Sequence, residues 1–200
     1  MTRTALRRTL LALLTLPALA LTAGPAAAAE LSVIDTRHDL RSLEMNEDDQ
    51  QIRWVKAPEI KHGDIGRVLY NHSERRVAMR TRYVDLERGK QVQFATRFRD
   101  ENSKKAYIQV RANASNPAGR STLRDYRTDE KIECAVTHKI DYAKNTLVVS
   151  FPRTCIGDPR RLEFTTITAV RYSGKFLFDN AHTDRFGFGG MGWSKPVRQG

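Results

Sequence analysis

Hydrophobic and polar residues alternate in a series of short runs that begins near residue 64, and turn residues separate these runs. Short alternating runs at close intervals are typical of antiparallel sandwiches and barrels. No stretch of comparable length carries the period of an amphipathic helix. The runs that we predict to be strands are 65–70, 76–84, 91–99, 106–112, 121–126, 131–140, 146–151, 162–172 and 175–178.

The alternation also assigns the faces of the strands, because successive side chains along a strand point to opposite sides. In the second run, Val77, Met79 and Tyr83 share one side, whereas Arg80 and Arg82 share the other. The third and fourth runs repeat this arrangement. Each strand therefore covers a core on one side only, and the sequence predicts an all-β protein, a two-layer antiparallel β-sandwich.

The N-terminal segment reads as a secretory signal peptide, with a basic start, an apolar run over residues 10–21 and a small-residue tract that ends at Ala29. A membrane anchor is the alternative, but the apolar run is short and contains Pro17. We expect cleavage before Glu30 and a secreted, extracellular protein without another membrane span. A pair of arginines indicates twin-arginine export and the leucine-rich run indicates the general secretory route, so the route stays open.

These features divide the chain into four parts. Residues 1–29 are the predicted signal peptide, and 30–63 form an irregular segment that packs on the sandwich, with a short strand at 31–34. The sandwich domain covers 64–185, and a tail rich in glycine and aromatic residues covers 186–200. We expect the mature protein to be a monomer.

The charge of the chain narrows the choice of partners. The predicted leader carries three arginines and no acidic residue, so its removal lowers the formal net charge from +11 to +8. A basic exported protein can meet an anionic cell-wall polymer or an acidic glycan, and these are the partners that we expect ahead of nucleic acid. A solvated basic surface without any partner is the alternative.

The two cysteines, Cys134 and Cys155, lie at the ends of a segment that reads as strand, turn and strand. Two cysteines outside the cytoplasm favour a disulfide. A structural zinc site needs four ligands at tight spacing, and His138 alone lies nearby. The sequence therefore predicts one disulfide.

Two registers of this hairpin remain open. One register places Cys134 directly opposite Cys155, and the other places Cys134 opposite Arg153, so that the cysteines are diagonal neighbours. Pro152 cannot donate a hydrogen bond to the ladder and indicates that the strand ends before it. We expect the disulfide to fasten the turn after this strand to the start of the preceding one.

Two stretches carry a family resemblance, HGDIGRVLYNHSERRVAMRTRYVDL and CAVTHKIDYAKNTLVVSFPRTCIGDPRRLEF. They resemble a group of small secreted actinobacterial β-sandwich proteins that are distantly similar to carbohydrate-binding and DOMON-type jelly-roll domains. The resemblance covers about residues 30–184. It implies a jelly-roll-like sandwich with the disulfide, and it supplies no catalytic residues.

The sequence contains no motif that indicates catalysis. The five histidines show none of the spacings that place two metal ligands on one element, and no GxSxG, GxxxxGK[ST] or strand–GxGxxG–helix motif occurs. We therefore expect a non-catalytic binding or structural module of the cell exterior, with no catalytic residues and no cofactor beyond the ion considered next. The alternative is an extracellular hydrolase whose His/Asp site is assembled from loops.

Five acidic residues lie in turns that can meet at one end of a sandwich: Asp35, Asp39, Asp64, Asp179 and Asp184. Extracellular β-sandwiches use such loop carboxylates to hold structural calcium, which needs several oxygen ligands. No EF-hand spacing is present. A structural calcium site is therefore one interpretation, and solvated turn acids are the other.

Arginines occupy the polar faces of the second, third and fourth predicted strands. If these strands are neighbours in one sheet, the arginines form a basic stripe that can bind the phosphates of an anionic polymer. Pairing with acidic side chains across the strands is the alternative. The predicted stripe consists of Arg80, Arg82, Arg97, Arg99 and Arg111, with Tyr107 beside it.

Overall fold

The computed structural model describes residues 29–45, 52–183 and 192–200. The predicted signal peptide, apart from Ala29, lies outside the described residues, and so does Asp184. The described part of the chain contains no helix with the length and apolar character that crossing a membrane requires.

Short strands account for most of the described chain, and one turn of 3₁₀ helix (Arg153–Ile156) follows the tenth strand. The strands within the described ranges are β1 (Ala29–Ile34), β2 (Arg41–Met45), β3 (Ile52–Lys56), β4 (Ile65–His72), β5 (Arg76–Tyr83), β6 (Val92–Asp100), β7 (Lys105–Ala112), β8 (Arg120–Asp125), β9 (Thr137–Asp141), β10 (Thr146–Pro152), β11 (Arg161–Tyr172), β12 (Lys175–Asn180) and β13 (Val197–Arg198).

These strands form two antiparallel sheets that pack face to face, which confirms the predicted two-layer sandwich. The five-stranded sheet has the order β1-β4-β5-β10-β9. The other sheet has eight strands. Seven of them have the order β3-β2-β12-β11-β6-β7-β8, and the eighth, β13, pairs with the start of β11. Neighbouring strands run antiparallel in both sheets, as expected for a fold in which each sheet exposes one face to water.

The core lies between the sheets and contains the residues that the alternation assigns to it. Val77, Met79 and Tyr83 are buried, whereas Arg80 and Arg82 are exposed, so the predicted faces of the second run are confirmed. Residues of the third and fourth runs follow the same rule: Val92, Phe94, Thr96, Phe98, Ile108 and Val110 are all buried.

Aromatic rings join the two sheets across this core. Tyr70 of β4 stacks on Phe164 of β11 with ring centroids 4.5 Å apart, and Phe98 of β6 stacks on Phe151 of β10 at 5.4 Å. Each pair takes one ring from each sheet. Such pairs stabilise by about 0.5–1.5 kcal/mol each beyond the area that they bury, and they fix the sheets relative to each other.

The predicted short strand at 31–34 is confirmed as β1, but the expectation that the rest of residues 30–63 is irregular is wrong. This segment contributes β1 to the edge of the five-stranded sheet and both β2 and β3 to the edge of the eight-stranded sheet. The sandwich therefore begins at β1 rather than at residue 64. Strand β3 is at the edge of the eight-stranded sheet and β2 lies beside it. Both carry exposed apolar residues such as Leu43 and Val55, so they lack the clean alternation that identifies strands with one buried face.

The hairpin of β9 and β10 takes the register in which the cysteines are diagonal neighbours, with Thr146 opposite Asp141. The ladder begins only at Thr137, so the predicted strand 131–140 is too long. Cys134 and Cys155 form the disulfide, and their Cα atoms lie 6.0 Å apart. Cys155 lies in the 3₁₀ helix that follows β10, and Cys134 lies just before β9. The disulfide therefore fastens the turn after β10 to the chain that leads into β9, as predicted. Closing this loop stabilises the fold by about 3 kcal/mol.

Gly63 provides a test of how tightly the loop before β4 fits onto the core. Its φ is +83°, and a Cβ placed on it would overlap the Cγ1 atom of buried Val170. Gly89 has nearly the same φ, +86°, and no heavy atom lies within 4 Å of the position that a Cβ would take there.

Both Gly→Ala substitutions incur the left-handed backbone cost of about 1–2 kcal/mol. We expect Gly63→Ala to lose about 1–3 kcal/mol more than Gly89→Ala, because it also overpacks the core.

Urea unfolding of the two variants measures this difference directly. Gly89→Ala is the matched control for the backbone term. Equal losses in the two variants would show that Val170 moves aside without cost.

Candidate functional site

The predicted arginine stripe is divided between the two sheets. Arg80 and Arg82 lie on β5, in the five-stranded sheet, whereas the third and fourth predicted strands are β6 and β7 of the eight-stranded sheet. The three strands are therefore not neighbours in one sheet, and their arginines do not form a single stripe. The members on the eight-stranded sheet are Arg97, Arg99, Arg111 and Tyr107.

The outer face of the five-stranded sheet carries a cavity of about 630 Å³ that is rich in cations. We call it the basic cavity and define it by Arg67, Arg80, Arg82 and Lys144, which line it together with uncharged residues of β4, β5 and the β9–β10 turn. Arg67 lies directly opposite Arg82 on the neighbouring strand, and Thr146 of β10 lies opposite Arg82 on its other side.

The arginines of the basic cavity are not neutralised by acidic residues. Within the described ranges, none of Arg67, Arg80 and Arg82 forms an ion pair, and Arg67 donates from Nε to the Ser32 hydroxyl at 2.8 Å. Lys144 Nζ lies 4.0 Å from a carboxylate oxygen of Asp141 in the same turn. Like charges directly opposite each other in a sheet are destabilising, so the opposed arginines favour an anion between them.

Arg97 and Arg99, on the eight-stranded sheet, are engaged by other side chains. Arg99 forms a salt bridge with Glu163 at 2.6 Å, and its guanidinium lies 4.6 Å from the ring centre of Trp193. Arg97 lies 5.0 Å from the ring centre of Tyr126. The Arg99–Glu163 pair is the cross-strand pairing that the sequence left open as the alternative.

The remaining members of the predicted stripe also have close neighbours on this sheet. Tyr107 donates its hydroxyl proton to Asp129, and Asp129 lies 3.4 Å from Arg124. Arg111 is the exception, because it lies opposite another arginine, Arg120, across β7 and β8, and neither forms an ion pair within the described ranges. The eight-stranded sheet therefore holds basic side chains, but several of them are already used by the protein itself.

A second charged feature lies inside the sandwich. Of the five acidic residues that the sequence predicts to meet, the structure brings four together, and Asp184 lies outside the described residues. We call Asp35, Asp39, Asp64 and Asp179 the acidic cluster. The first two lie in the β1–β2 connection, Asp64 directly precedes β4, and Asp179 lies on β12.

The acidic cluster is buried rather than solvated. Asp35 and Asp39 are 8% and 3% exposed, and Asp64 and Asp179 are fully buried. One carboxylate oxygen from each of Asp35, Asp39 and Asp179 lies within 4.8 Å of the other two. The interpretation of these residues as solvated turn acids is therefore wrong for the four that are described.

Backbone amides hold one oxygen of three of these carboxylates. Thr36 N donates to Asp35 Oδ1 at 2.8 Å, His38 N donates to Asp64 Oδ2 at 2.7 Å, and Ile65 N donates to Asp179 Oδ2 at 2.5 Å. The second oxygens, Asp35 Oδ2, Asp64 Oδ1 and Asp179 Oδ1, are buried without a hydrogen-bond partner in the described part of the chain. Buried polar atoms without partners are rare in folded proteins.

Burial and mutual repulsion raise the pKa values of these carboxyl groups. Burial raises the pKa of Asp35 from its ordinary 3.8 to about 9, and the charges of Asp179 and Asp39 add to the rise. Burial raises the pKa of Asp179 to about 8, again with Asp39 contributing. The pKa of Asp64 rises to about 6, because burial outweighs the hydrogen bond from His38 N. Without a cation, these pKa values favour the protonated forms of Asp35 and Asp179 at neutral pH.

The histidines do not converge with carboxylates in the basic cavity, whose lining contains neither residue type. His38 Nδ1 lies 3.8 Å from Asp64 Oδ2, but this pair belongs to the acidic cluster. His182 Nε2 is hydrogen-bonded to the Tyr70 hydroxyl at 2.6 Å, and burial lowers the pKa of His182 to about 4. The basic cavity therefore does not supply the His/Asp site of the hydrolase alternative, and that alternative stays a prediction.

Sequence reasoning missed two residues of the basic cavity, Arg67 and Lys144. Arg67 follows a β-bulge at the start of β4, where two residues of one strand oppose one of the other, so the alternation is interrupted there. From residue 67 onward the run Arg67-Val68-Leu69-Tyr70 does alternate, and that pattern could have assigned Arg67 to the outer face. Lys144 lies in a turn, and no periodicity assigns a face to a turn.

Comparisons with known proteins give no identification. No protein-family model matches the chain, and no curated protein matches it. The resemblance to secreted actinobacterial sandwich proteins therefore stays a prediction.

The raised pKa values predict how stability depends on pH in metal-free buffer. A carboxyl group whose pKa is higher in the folded state than in the unfolded state binds its proton more tightly in the folded state. Its protonation therefore stabilises the fold by the full amount at pH values below the unfolded pKa. For Asp35 and Asp179 this contribution is lost as the pH rises from about 4 to about 9. We expect the melting temperature of the wild type to fall over this range relative to that of an Asp35→Asn/Asp179→Asn variant.

The other titrating groups are common to both proteins and affect both melting temperatures equally. The difference between the two melting temperatures therefore reports on Asp35 and Asp179. Thermal unfolding at one-unit pH steps in chelator measures the difference. Parallel curves for the two proteins would show that the two carboxyls titrate normally.

Proposed function

We propose that the protein is a non-catalytic extracellular β-sandwich module that binds an anionic polymer, either a phosphate-bearing wall polymer or an acidic glycan, in the basic cavity. The observation that carries this proposal is the direct opposition of Arg67 and Arg82, next to Arg80, without acidic partners among the described residues. Such an arrangement is unfavourable alone and becomes favourable when an anion lies between the guanidinium groups.

The chemistry of the basic cavity suits phosphate or carboxylate groups. Guanidinium groups present rigid forks of donors that match both anions in bidentate contacts, and Lys144 adds a mobile ammonium group. Thr146 also lines the cavity, whereas the side chain of Asn145 is held by the backbone of Leu86 and Val84. The volume of about 630 Å³ falls within the usual range for ligand sites.

The arrangement of the cations favours a polymer over a single small anion. Arg67 and Arg82 lie in one row across the strands, and Arg80 lies in the next row, opposite Leu69. Rows on one face of a sheet are about 7 Å apart along the strand. A chain with repeated charges contacts both rows at once, whereas a single small anion contacts one.

The non-catalytic part of the proposal rests on the side chains that line the basic cavity. Histidine and the carboxylates are the most frequent general acids and bases, and neither type lines the basic cavity. Of the other residue types that can act in catalysis, Lys144 lies in an exposed turn, and the hydroxyl of Tyr83 is buried and accepts a hydrogen bond from Thr168. The lining contains arginine, lysine, asparagine, threonine, tyrosine and aliphatic residues. The extracellular part rests on the predicted signal peptide and on the disulfide, which is favoured by oxidising compartments.

Retention on immobilised polymers tests the proposal. We expect the mature protein to bind a phosphodiester-rich wall polymer or a polycarboxylate glycan and not neutral dextran, and binding should weaken steeply between about 50 and 200 mM salt, as released counterions require. The phosphate and carboxylate columns distinguish the two classes of anion. Arg80→Gln/Arg82→Gln should lower the affinity about tenfold or more and reduce the slope of log K against log salt by about 1.4.

The chain offers a matched control in the other half of the predicted stripe. Arg97→Gln/Arg99→Gln removes the same charge from the outer face of the eight-stranded sheet, where both arginines already contact other side chains, and we expect it to retain most of the affinity. Equal losses in both double variants would mean that binding follows net charge alone, which would overturn the assignment to the basic cavity. Absence of retention on both anionic columns would overturn the function itself.

A further inference from the structure

The acidic cluster lies where the two sheets meet at one end of the sandwich. Asp35 follows β1 and Asp64 precedes β4, and both of these strands belong to the five-stranded sheet. Asp39 leads into β2 and Asp179 lies on β12, which are neighbours in the eight-stranded sheet. The cluster therefore takes residues from both layers of the fold.

We propose that Asp35, Asp39 and Asp179 bind one calcium ion, and that Asp64 adds negative charge beside it. This site is separate from the basic cavity, and the inference does not rest on the proposed function. The ion would bridge the two sheets from inside. Its role would be structural, because the carboxylates that hold it are almost completely withdrawn from solvent.

The distances between the carboxylates fit a calcium ion. Calcium–oxygen distances are about 2.3–2.6 Å, so two oxygens on opposite sides of one ion are separated by about 5 Å at most. The three oxygens of Asp35, Asp39 and Asp179 lie within 4.8 Å of one another. One ion can therefore contact all three without rearrangement of the strands.

Independent support comes from the oxygens that lack hydrogen-bond partners in the described part of the chain. Asp179 Oδ1 and Asp64 Oδ1 belong to fully buried side chains, and Asp35 Oδ2 belongs to one that is 8% exposed. In each case a backbone amide fixes the other oxygen of the same carboxylate, and this contact orients the group. Buried carboxylates that are oriented but incompletely satisfied are what a cation site requires.

The donor set favours calcium over other ions. Zinc and copper favour imidazole and thiolate ligands, and both cysteines of this chain are in the disulfide. Magnesium has shorter bonds of about 2.0–2.1 Å and keeps several waters, which a buried set of carboxylates does not readily accommodate.

Calorimetric titration of the chelator-treated, dialysed protein with CaCl₂ tests this site. We expect one calcium ion per chain, weaker binding of MgCl₂, and a rise in melting temperature of about 5–10 °C at calcium concentrations about a hundred times the dissociation constant. Terbium provides a second readout, because it replaces calcium at oxygen sites and is sensitised by nearby tyrosines. Tyr70 and Tyr83 are close enough for the charges of Asp35 and Asp179 to act on them.

Single substitutions then locate the ion. Asp35→Asn and Asp179→Asn each keep the oxygen that accepts from the backbone and remove one charge, so both should fold. We expect each to abolish the calcium-dependent rise in melting temperature and the terbium emission. Asp158→Asn makes the same change at an exposed residue that pairs with Arg153, and it should respond to calcium like the wild type.

Two results would overturn the proposal. One is a wild-type protein whose melting temperature and heat signal are unchanged by calcium at millimolar concentration. The other is a calcium response that persists in both Asp35→Asn and Asp179→Asn, which would place the ion elsewhere. If one variant fails to fold, the other and the terbium titration of the wild type still decide the matter.

Discussion

Stacking of aromatic rings across the core fixes the distance and orientation of the two sheets, and the charged features of the molecule depend on that placement. Tyr70 on Phe164 and Phe98 on Phe151 each join one sheet to the other. Because the inner faces are occupied in this way, the alternating arginines must point outward. The hydroxyl of Tyr70 is also hydrogen-bonded to the hydroxyl of buried Thr166 at 2.7 Å, so a region of polar groups adjoins the aromatic core on this side.

That polar region ends in the acidic cluster, where the fold accepts an electrostatic cost that packing alone does not explain. Four buried carboxyls cannot all be ionised at close range without a counter-charge. Protons remove the repulsion, as the raised pKa values of Asp35 and Asp179 indicate, and a divalent cation removes it more completely at neutral pH. Either solution joins the β1–β2 connection to β4 and β12, so the same residues close this end of the sandwich.

The sequence predicts local features well and long-range ones poorly, for a physical reason. Alternation reveals which side chains of a strand face the core, and the buried faces of β5, β6 and β7 agree with it. It does not reveal which strands are neighbours, because pairing depends on contacts between distant segments, and so the predicted arginine stripe is divided between the sheets. Strands β2 and β3 escape prediction because, next to and at the edge of their sheet, they expose apolar residues such as Leu43 and Val55. The convergence of Asp35, Asp39 and Asp64 fits the prediction that they lie in turns at one end, but Asp179 lies on β12, and the burial of all four does not follow from the sequence pattern.

The acidic cluster and the basic cavity are linked through the start of β4. The Asp179 carboxylate accepts a hydrogen bond from Ile65 N and thereby holds the start of β4 at the bulge. The backbone carbonyl of Asp64 accepts one from Val84 N at 2.8 Å, which joins this point to the residue after β5. The bulge shifts the register by one residue, and this shift places Arg67 opposite Arg82. Without it, the preceding residue, Gly66, would occupy that position and the opposed guanidinium groups would be lost. The carboxylates inside the sandwich therefore help to set the geometry of the cations outside it, although no side chain of one set contacts the other among the described hydrogen bonds.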